Sequence, residues 1–143
     1  MVQLQPQDPE FETRVRDSFA GQRVMQLLNA SLTRVDPGAV EITLPYRDDL
    51  TQQDGYVHAG IITTIADSAC GYAAYTLMPA SSSVLSVEFK MNLLRPAAGE
   101  SFLGGAKVLK AGKTLSVVTC DVQARIGDQM KIIATMLATM ICR

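Results

Sequence analysis

Apolar residues recur along this chain with two different periods, and the change from one to the other divides it. Phe11, Val15 and Phe19 repeat every four residues after Asp8-Pro9, the period of one helix face, with Asp8 suited to the cap and Pro9 to the first turn. This short amphipathic helix closes near Gly21 and reads as a lid or flank. Val24, Met25, Leu27 and Leu28 add a further apolar turn, so residues 1–30 form an N-terminal helical flank. Asp36-Pro37-Gly38 then marks a tight turn between short extended pieces, and Val40, Ile42 and Leu44 alternate as a strand ending at Pro45.

The middle of the chain changes character. From Ala59 to Met78 nearly every residue is small or apolar, and Pro79 supplies the stop signal of one long helix. Beyond it helical periodicity disappears, and strands are predicted at Val84–Leu94, Ser101–Lys110, Thr114–Ile126 and Gln129–Cys142. Their connectors, Arg95-Pro96-Ala97-Ala98-Gly99, Ala111-Gly112 and Gly127-Asp128, are short and turn-like, so the four strands should form an antiparallel meander of hairpins. The single long helix must then cover one sheet, which makes the class α+β. Lys131–Ile141 is apolar on both faces, as in a strand packed by the helix on one side and by another layer or subunit on the other.

Length and composition narrow the picture. A chain of 143 residues is one domain, large enough to bury a core without disulfides or metal. A net charge of -1, with no basic stretch, gives no field to attract nucleic acid. Three cysteines, Cys70, Cys120 and Cys142, are odd in number and lack CxxC spacing, which argues against a disulfide framework or a zinc site and for the cytoplasm. The N-terminal residues are polar and acidic, unlike a signal peptide, and the longest apolar run, Ile132–Cys142, is too short to cross a bilayer. One histidine and no carboxylate cluster imply no metal.

The candidate chemistry lies in Gln52–Tyr75, QQDGYVHAGIITTIADSACGYAAY. Here the only histidine, His58, sits in a Gly-containing loop that runs straight into the apolar helix, whose one acid is Asp67. A carboxylate among small and apolar neighbours stands where charge is costly to desolvate, so Asp67 is a functional candidate. His58 precedes Asp67 by about 13 Å of helical rise and roughly 180° of azimuth, so the two cannot readily meet within one chain. If both serve one reaction, a two-fold dimer is the economical solution, the loop of one subunit facing the helix middle of the other. The first amides of a helix beginning near Ala59 have no intrahelical partner and can hold an oxyanion, each such donor lowering a barrier by about 3 kcal/mol. Gly60 keeps that approach uncluttered, and Gly71, one turn beyond Asp67, leaves space beside the carboxylate. A Ser-His-Asp hydrolase is disfavoured because no GxSxG elbow exists.

The pattern Gln52-x5-His58-Ala59-Gly60-x6-Asp67, followed by SVEFKMNLLRPA, resembles the hotdog-fold acyl-CoA thioesterases, most nearly the phenylacetate-degradation (PaaI-like) branch. The resemblance runs from the Asp-Pro-Gly turn to the last strand. It implies a single hotdog domain over residues 1–143, in which a long central helix is wrapped by a curved antiparallel β-sheet. It further implies a homodimer that builds its site across the interface, with homotetramers common. The activity it implies is hydrolysis of an acyl-CoA thioester to a carboxylic acid and free coenzyme A, without a cofactor.

Carried over by position, the resemblance makes Asp67 the nucleophile or general base and the Ala59 amide the oxyanion contact. Gln52 orients the thioester or the water, His58 supports the loop near the leaving sulfur, and Ser86 in LSVEF helps to place the attacking water. By strand parity, however, Ser86 shares a wet face with Glu88, Lys90 and Asn92. Ala59 departs from the family's usual Gly, and its methyl narrows the acyl entrance. Lys90 and Arg95 after Ser86, and Lys110 and Lys113 around Ala111-Gly112, are the cations available to coenzyme A phosphates. Tyr72, Tyr75 and Met91, with the N-terminal helix, set pocket depth. The alternative is a non-catalytic acyl-CoA binding or sensing protein, since this fold also serves as a ligand receptor; a structural subunit of a larger assembly is a third reading.

Overall fold

The alternation in the second half of the chain is that of a sheet covered on one face. A computed structural model describes residues 4–143, so the first three positions of the N-terminal flank lie outside the described residues. Helices α1 (Phe11–Ala20) and α2 (Arg23–Leu28) precede strands β1 (Ser31–Asp36) and β2 (Ala39–Pro45). A 3-10 turn (Asp48–Leu50) and the site loop then lead into α3 (Ala59–Tyr75). Strands β3 (Val84–Leu93), β4 (Ser101–Ala111), β5 (Leu115–Ile126) and β6 (Gln129–Cys142) complete the chain. All six strands join one antiparallel sheet in the order β1-β2-β4-β5-β6-β3, with α3 packed on β2 to β6: the hotdog arrangement.

The strand order corrects the expected meander. Strands β4, β5 and β6 do form consecutive hairpins, but β3 lies at the far edge beside β6, and the free side of β4 is taken by β2 in a register from Ala39↔Lys107 to Pro45↔Ser101. The connector around Arg95-Pro96-Ala97-Ala98-Gly99 therefore crosses the sheet end instead of turning back. Leu94 N and Arg95 N both donate to Ile133 O of β6, at 2.8 and 3.1 Å, and Glu100 N donates to Arg125 O of β5 at 2.8 Å. The chain is thus carried over β6 and β5 before it enters β4. Its length and its proline are equally compatible with a hairpin loop, which is why local composition misses the crossover.

The core follows from period. Ile42, Leu44, Phe102, Ala106, Val118, Val122, Met136 and Met140 are buried at alternating positions of their strands, while Ile62, Ile65, Ala66, Ala69 and Ala73 form the buried stripe of α3. The helix packs closely on the sheet at Gly104, where a Cβ would stand 3.6 Å from Cys120 Sγ and 3.7 Å from Ile65 O. Cys70 and Cys120 are buried, and a hydrogen bond with Cys120 together with desolvation pushes the Cys70 thiol well above its ordinary range. Cys70 is therefore a neutral packing residue.

The N-terminal flank is fastened to the far end of α3. That helix ends at Tyr75, three residues before the expected Met78, and the guanidinium of Arg14 on α1 serves the carbonyls at and just beyond its end. Arg14 Nη2 donates to Tyr75 O at 2.7 Å and to Met78 O at 3.0 Å, Nη1 donates to Pro79 O, and the group lies 4.3 Å over the Tyr75 ring centroid. Its Nε, without a hydrogen-bond partner among the described residues, is left 3.5 Å from Asp8 Oδ2 as an ion pair. Asp8 also accepts from Glu10 N at 2.9 Å, so it shapes the turn ahead of α1, which starts at Phe11. Replacing Arg14 by Ala is expected to destabilise the protein by about 2–3 kcal/mol, since three carbonyls of a mostly buried cluster lose a charged donor; a urea midpoint equal to wild type would show that the flank is held by apolar contacts alone.

Candidate active site

The loop before α3 is closed on itself by backbone and by one side chain. Thr51 and Val57 form an isolated bridge, Gln52 N donates to Tyr56 O at 2.8 Å, and Gly55 turns the chain at φ 88°. Gln52 Oε1 accepts from Asp54 N at 2.6 Å and from Tyr56 N at 3.2 Å. With its oxygen committed to the loop, the amide end of Gln52 keeps two donors that meet no protein acceptor among the described residues. Two further bonds, Val57 N to Ala97 O at 3.0 Å and His58 N to Leu50 O at 2.9 Å, fix the loop to the crossover and to the 3-10 turn.

The start of α3 is arranged so that one amide stays free. His58 is the N-cap, and its Nδ1 accepts from Gly60 N at 2.8 Å; its neutral ring therefore carries the proton on Nε2. Ile61 N and Ile62 N donate to His58 O at 2.9 and 3.3 Å. Of the first four amides only that of Ala59 has no acceptor among the described residues. Gly60 is required beside the cap, because a Cβ there would stand 3.1 Å from His58 Nδ1.

Asp67, in the middle of α3, is half-buried and meets β3. Ser86 Oγ donates to Asp67 Oδ1 at 2.6 Å, while Oδ2 has no protein donor among the described residues. This pairing corrects the shared wet face assigned to Ser86. Ser86 pairs with Met140 and Glu88 with Thr139, so the register slips at Val87, a β-bulge. Met140 is buried under the helix, and Thr139 Oγ1 donates to Glu88 Oε1 on the opposite face. The extra residue turns Ser86 inward and leaves Glu88, Lys90 and Asn92 outward.

The candidates gather around two separate clefts. One, of about 440 Å³, holds Asp67, Ser86 and Gly71; no heavy atom lies within 4 Å of where a Gly71 Cβ would be, so its space is open. The second, of about 380 Å³, holds Gln52, Ala59 and Arg95, whose Nη1 donates to Ile132 O at 2.6 Å. His58 lines neither. Lys90 and Lys110 are exposed on the sheet, and Lys113 borders a third cleft beside Gln5 and Gln7, so the structure does not bring these lysines to the other candidates. The first cleft also contains Ser18, Gln22 and Ser68, which sequence reasoning missed: Gln22 follows the glycine that closes α1, and no periodicity marks it. Among the described residues no three His, Cys, Asp or Glu side chains cluster closely enough to hold a metal, and no helix is long and apolar enough to cross a membrane.

The family model described as "Thioesterase superfamily" matches residues 54–131, more than half of the chain and the segment with His58, Ala59, Asp67 and Ser86. A thioesterase family protein from Silicibacter pomeroyi is similar over 92% of this chain and 97% of its own, with 49% identity and a TM-score of 0.91. A Saccharolobus solfataricus protein that bears the name of a candidate esterase is 31% identical over 69% of this chain and 70% of its own length. The E. coli PaaI protein from the phenylacetic acid degradation operon shares the fold, with a TM-score of 0.82 at 18% identity over 92% of each chain.

The cap geometry makes a prediction about stability. His58→Ala should lower unfolding free energy by roughly 1 kcal/mol, the usual effect of losing an N-cap; urea titration that finds no loss would mean that the Gly60 amide is equally well served by water.

Proposed function

The chain belongs to the thioesterase superfamily, and we propose that it hydrolyses an acyl-CoA thioester to a carboxylic acid and free coenzyme A, with Asp67 as general base. The observation that carries this reading is the Asp67–Ser86 pair, 2.6 Å apart on the wall of an open cleft. Ser86 Oγ and the free Asp67 Oδ2 offer one water two acceptors, which would leave its lone pair aimed at a bound carbonyl. Asp67 takes the proton as the C–O bond forms, the C–S bond then breaks, and the proton passes to the departing thiolate. Charge developing on the carbonyl oxygen would be met by the Ala59 amide and by the amide end of Gln52. His58 acts as a positioning residue: by occupying the Gly60 amide it fixes the helix start and leaves that of Ala59 exposed.

Because Asp67 and the oxyanion donors border different clefts of one chain, the proposal includes a homodimer in which the Gln52 and Ala59 cleft of one subunit faces the Asp67 cleft of its partner. Strand β3 supports this arrangement: it is a sheet edge ten residues long that leaves Leu85, Val87, Phe89 and Leu93 43–55% exposed. A further pairing of dimers into a tetramer would use the outer sheet face, where Leu109 and Leu137 are exposed. Arg95 is the cation assigned to the coenzyme A phosphates, as it lines the same cleft as Gln52 and Ala59. Three free thiols and a coenzyme A substrate both suit a cytoplasmic site of action.

Asp67→Asn should lower turnover of every tested acyl-CoA by about 10²- to 10⁴-fold with binding retained; thiol release at the wild-type rate would remove Asp67 from the reaction, and stoichiometric binding without release in wild type would point to a receptor. The oxyanion role has its own test. Proline is accepted at the first position of a helix, and His58, at φ -59° and ψ 137°, already has the conformation required before it. Ala59→Pro should therefore fold as wild type by circular dichroism yet lose about 10²-fold or more in kcat, because only the N–H is removed. A single turnover in ¹⁸O-water should put the label in the product acid; label in the Asp67 peptide would make Asp67 a nucleophile instead.

A further inference from the structure

The inward positions of β5 are Ser116, Val118, Cys120, Val122 and Ala124, a row in which Ser116 has the one hydroxyl. Ser116 is 4% exposed, yet its Oγ has no hydrogen-bond partner among the described residues. It lines the third cleft, of about 340 Å³, which lies between the β4–β5 turn, the end of α3 and the start of the N-terminal flank. Leu4, Leu77, Met78 and Pro79 make its apolar side. Lys113 stands at its exposed edge, beside a turn closed by Gly112 N donating to Leu115 O at 2.9 Å, and has no ion-pair partner among the described residues. No Asp or Glu lines the cleft among the described residues, so its one formal charge is positive. The carbonyls beyond the end of α3 are already served, Leu77 O by Gln7 Nε2 at 3.0 Å and Met78 O by Arg14.

We propose that this cleft is a binding site for a medium-chain carboxylate, separate from the two clefts assigned to hydrolysis and independent of that assignment. Ser116 Oγ donates to one carboxylate oxygen, Lys113 supplies the countercharge from the exposed edge, and the hydrocarbon tail lies on Leu4, Leu77 and Met78. An inward hydroxyl without a protein partner contributes nothing to the fold that Ala would not, and its desolvation is a cost. Its use is therefore toward a guest. A neutral alcohol would satisfy Ser116 but leave Lys113 without a counterion. Inorganic phosphate would bring more charge than one lysine answers, and no hydrocarbon to cover the apolar side.

Equilibrium dialysis of octanoate against wild type, Ser116→Ala and Lys113→Met tests the site, with octan-1-ol and inorganic phosphate as comparison ligands. Cys142 reports its location, because it lines this cleft and is the one partly exposed thiol, Cys70 and Cys120 being buried. Wild type should bind octanoate with saturation and more tightly than octanol or phosphate, and bound octanoate should slow alkylation of Cys142 by iodoacetamide. Ser116→Ala should weaken octanoate about tenfold, and Lys113→Met about threefold with loss of salt dependence. Without ligand, Ser116→Ala should unfold at a urea concentration equal to or above that of wild type. No saturable binding in wild type would overturn the proposal, as would octanol or phosphate binding as tightly as octanoate. Binding unchanged in both variants, or Cys142 alkylated at the same rate under saturating octanoate, would place the acid elsewhere and overturn it too. A lower urea midpoint for ligand-free Ser116→Ala would show that the hydroxyl serves the fold, with the same consequence.

Discussion

Everything in this protein depends on burying α3 along most of its length while one carboxylate on it stays reachable. The apolar stripe from Ile62 to Ala73 is covered by five strands, and this contact, far more than any hydrogen bond, holds the sheet and helix in one relation. Once α3 is fixed, its parts acquire separate chemical meanings. The beginning has an unsatisfied amide because every helix has them. The middle carries Asp67 on the one side that β3 does not fully close. The end has carbonyls that need a donor, and Arg14 provides it.

That last contact ties the lining of the Asp67 cleft to the scaffold. By capping α3, Arg14 sets α1 against it, and the α1–α2 junction then brings Ser18 and Gln22 over the cleft that contains Asp67. Residues from the first and second quarters of the chain thus meet through a helix terminus instead of through a shared strand. The cleft is thus built by distant segments: Asp67 and Ser86 lie within the span matched by the family model, Ser18 and Gln22 outside it.

Sequence legibility follows the range of the interactions involved. The Asp-Pro-Gly turn, the alternating strands and the long apolar helix are local patterns, and all appear, the helix three residues shorter than its pattern suggests. Asp67 was legible because an acid in such a helix conflicts with its surroundings, and the amide of Ala59 because helix ends always leave donors. Strand order was not, since β3 and β4 are separated by a connector whose composition suits a hairpin and a crossover equally. Nor was Gln22, whose partners Ser68 and Tyr72 are some fifty positions away. Long-range partners leave no mark on a local window.

The bulge at Val87 shows how much can rest on counting alone. Ser86 reaches Asp67 because β3 contains one residue more than its partner at that point; neither the hydropathy of the strand nor the identity of Val87 brings this about. A loss of a single codon there would leave composition, charge and apolar content nearly as they are, and would still exchange the faces of the strand on one side of the gap. Among descendants of such a chain, then, the inherited quantity that guards the hydroxyl is a length, and alignments that close the gap for a better match of letters would erase the trait they are meant to follow.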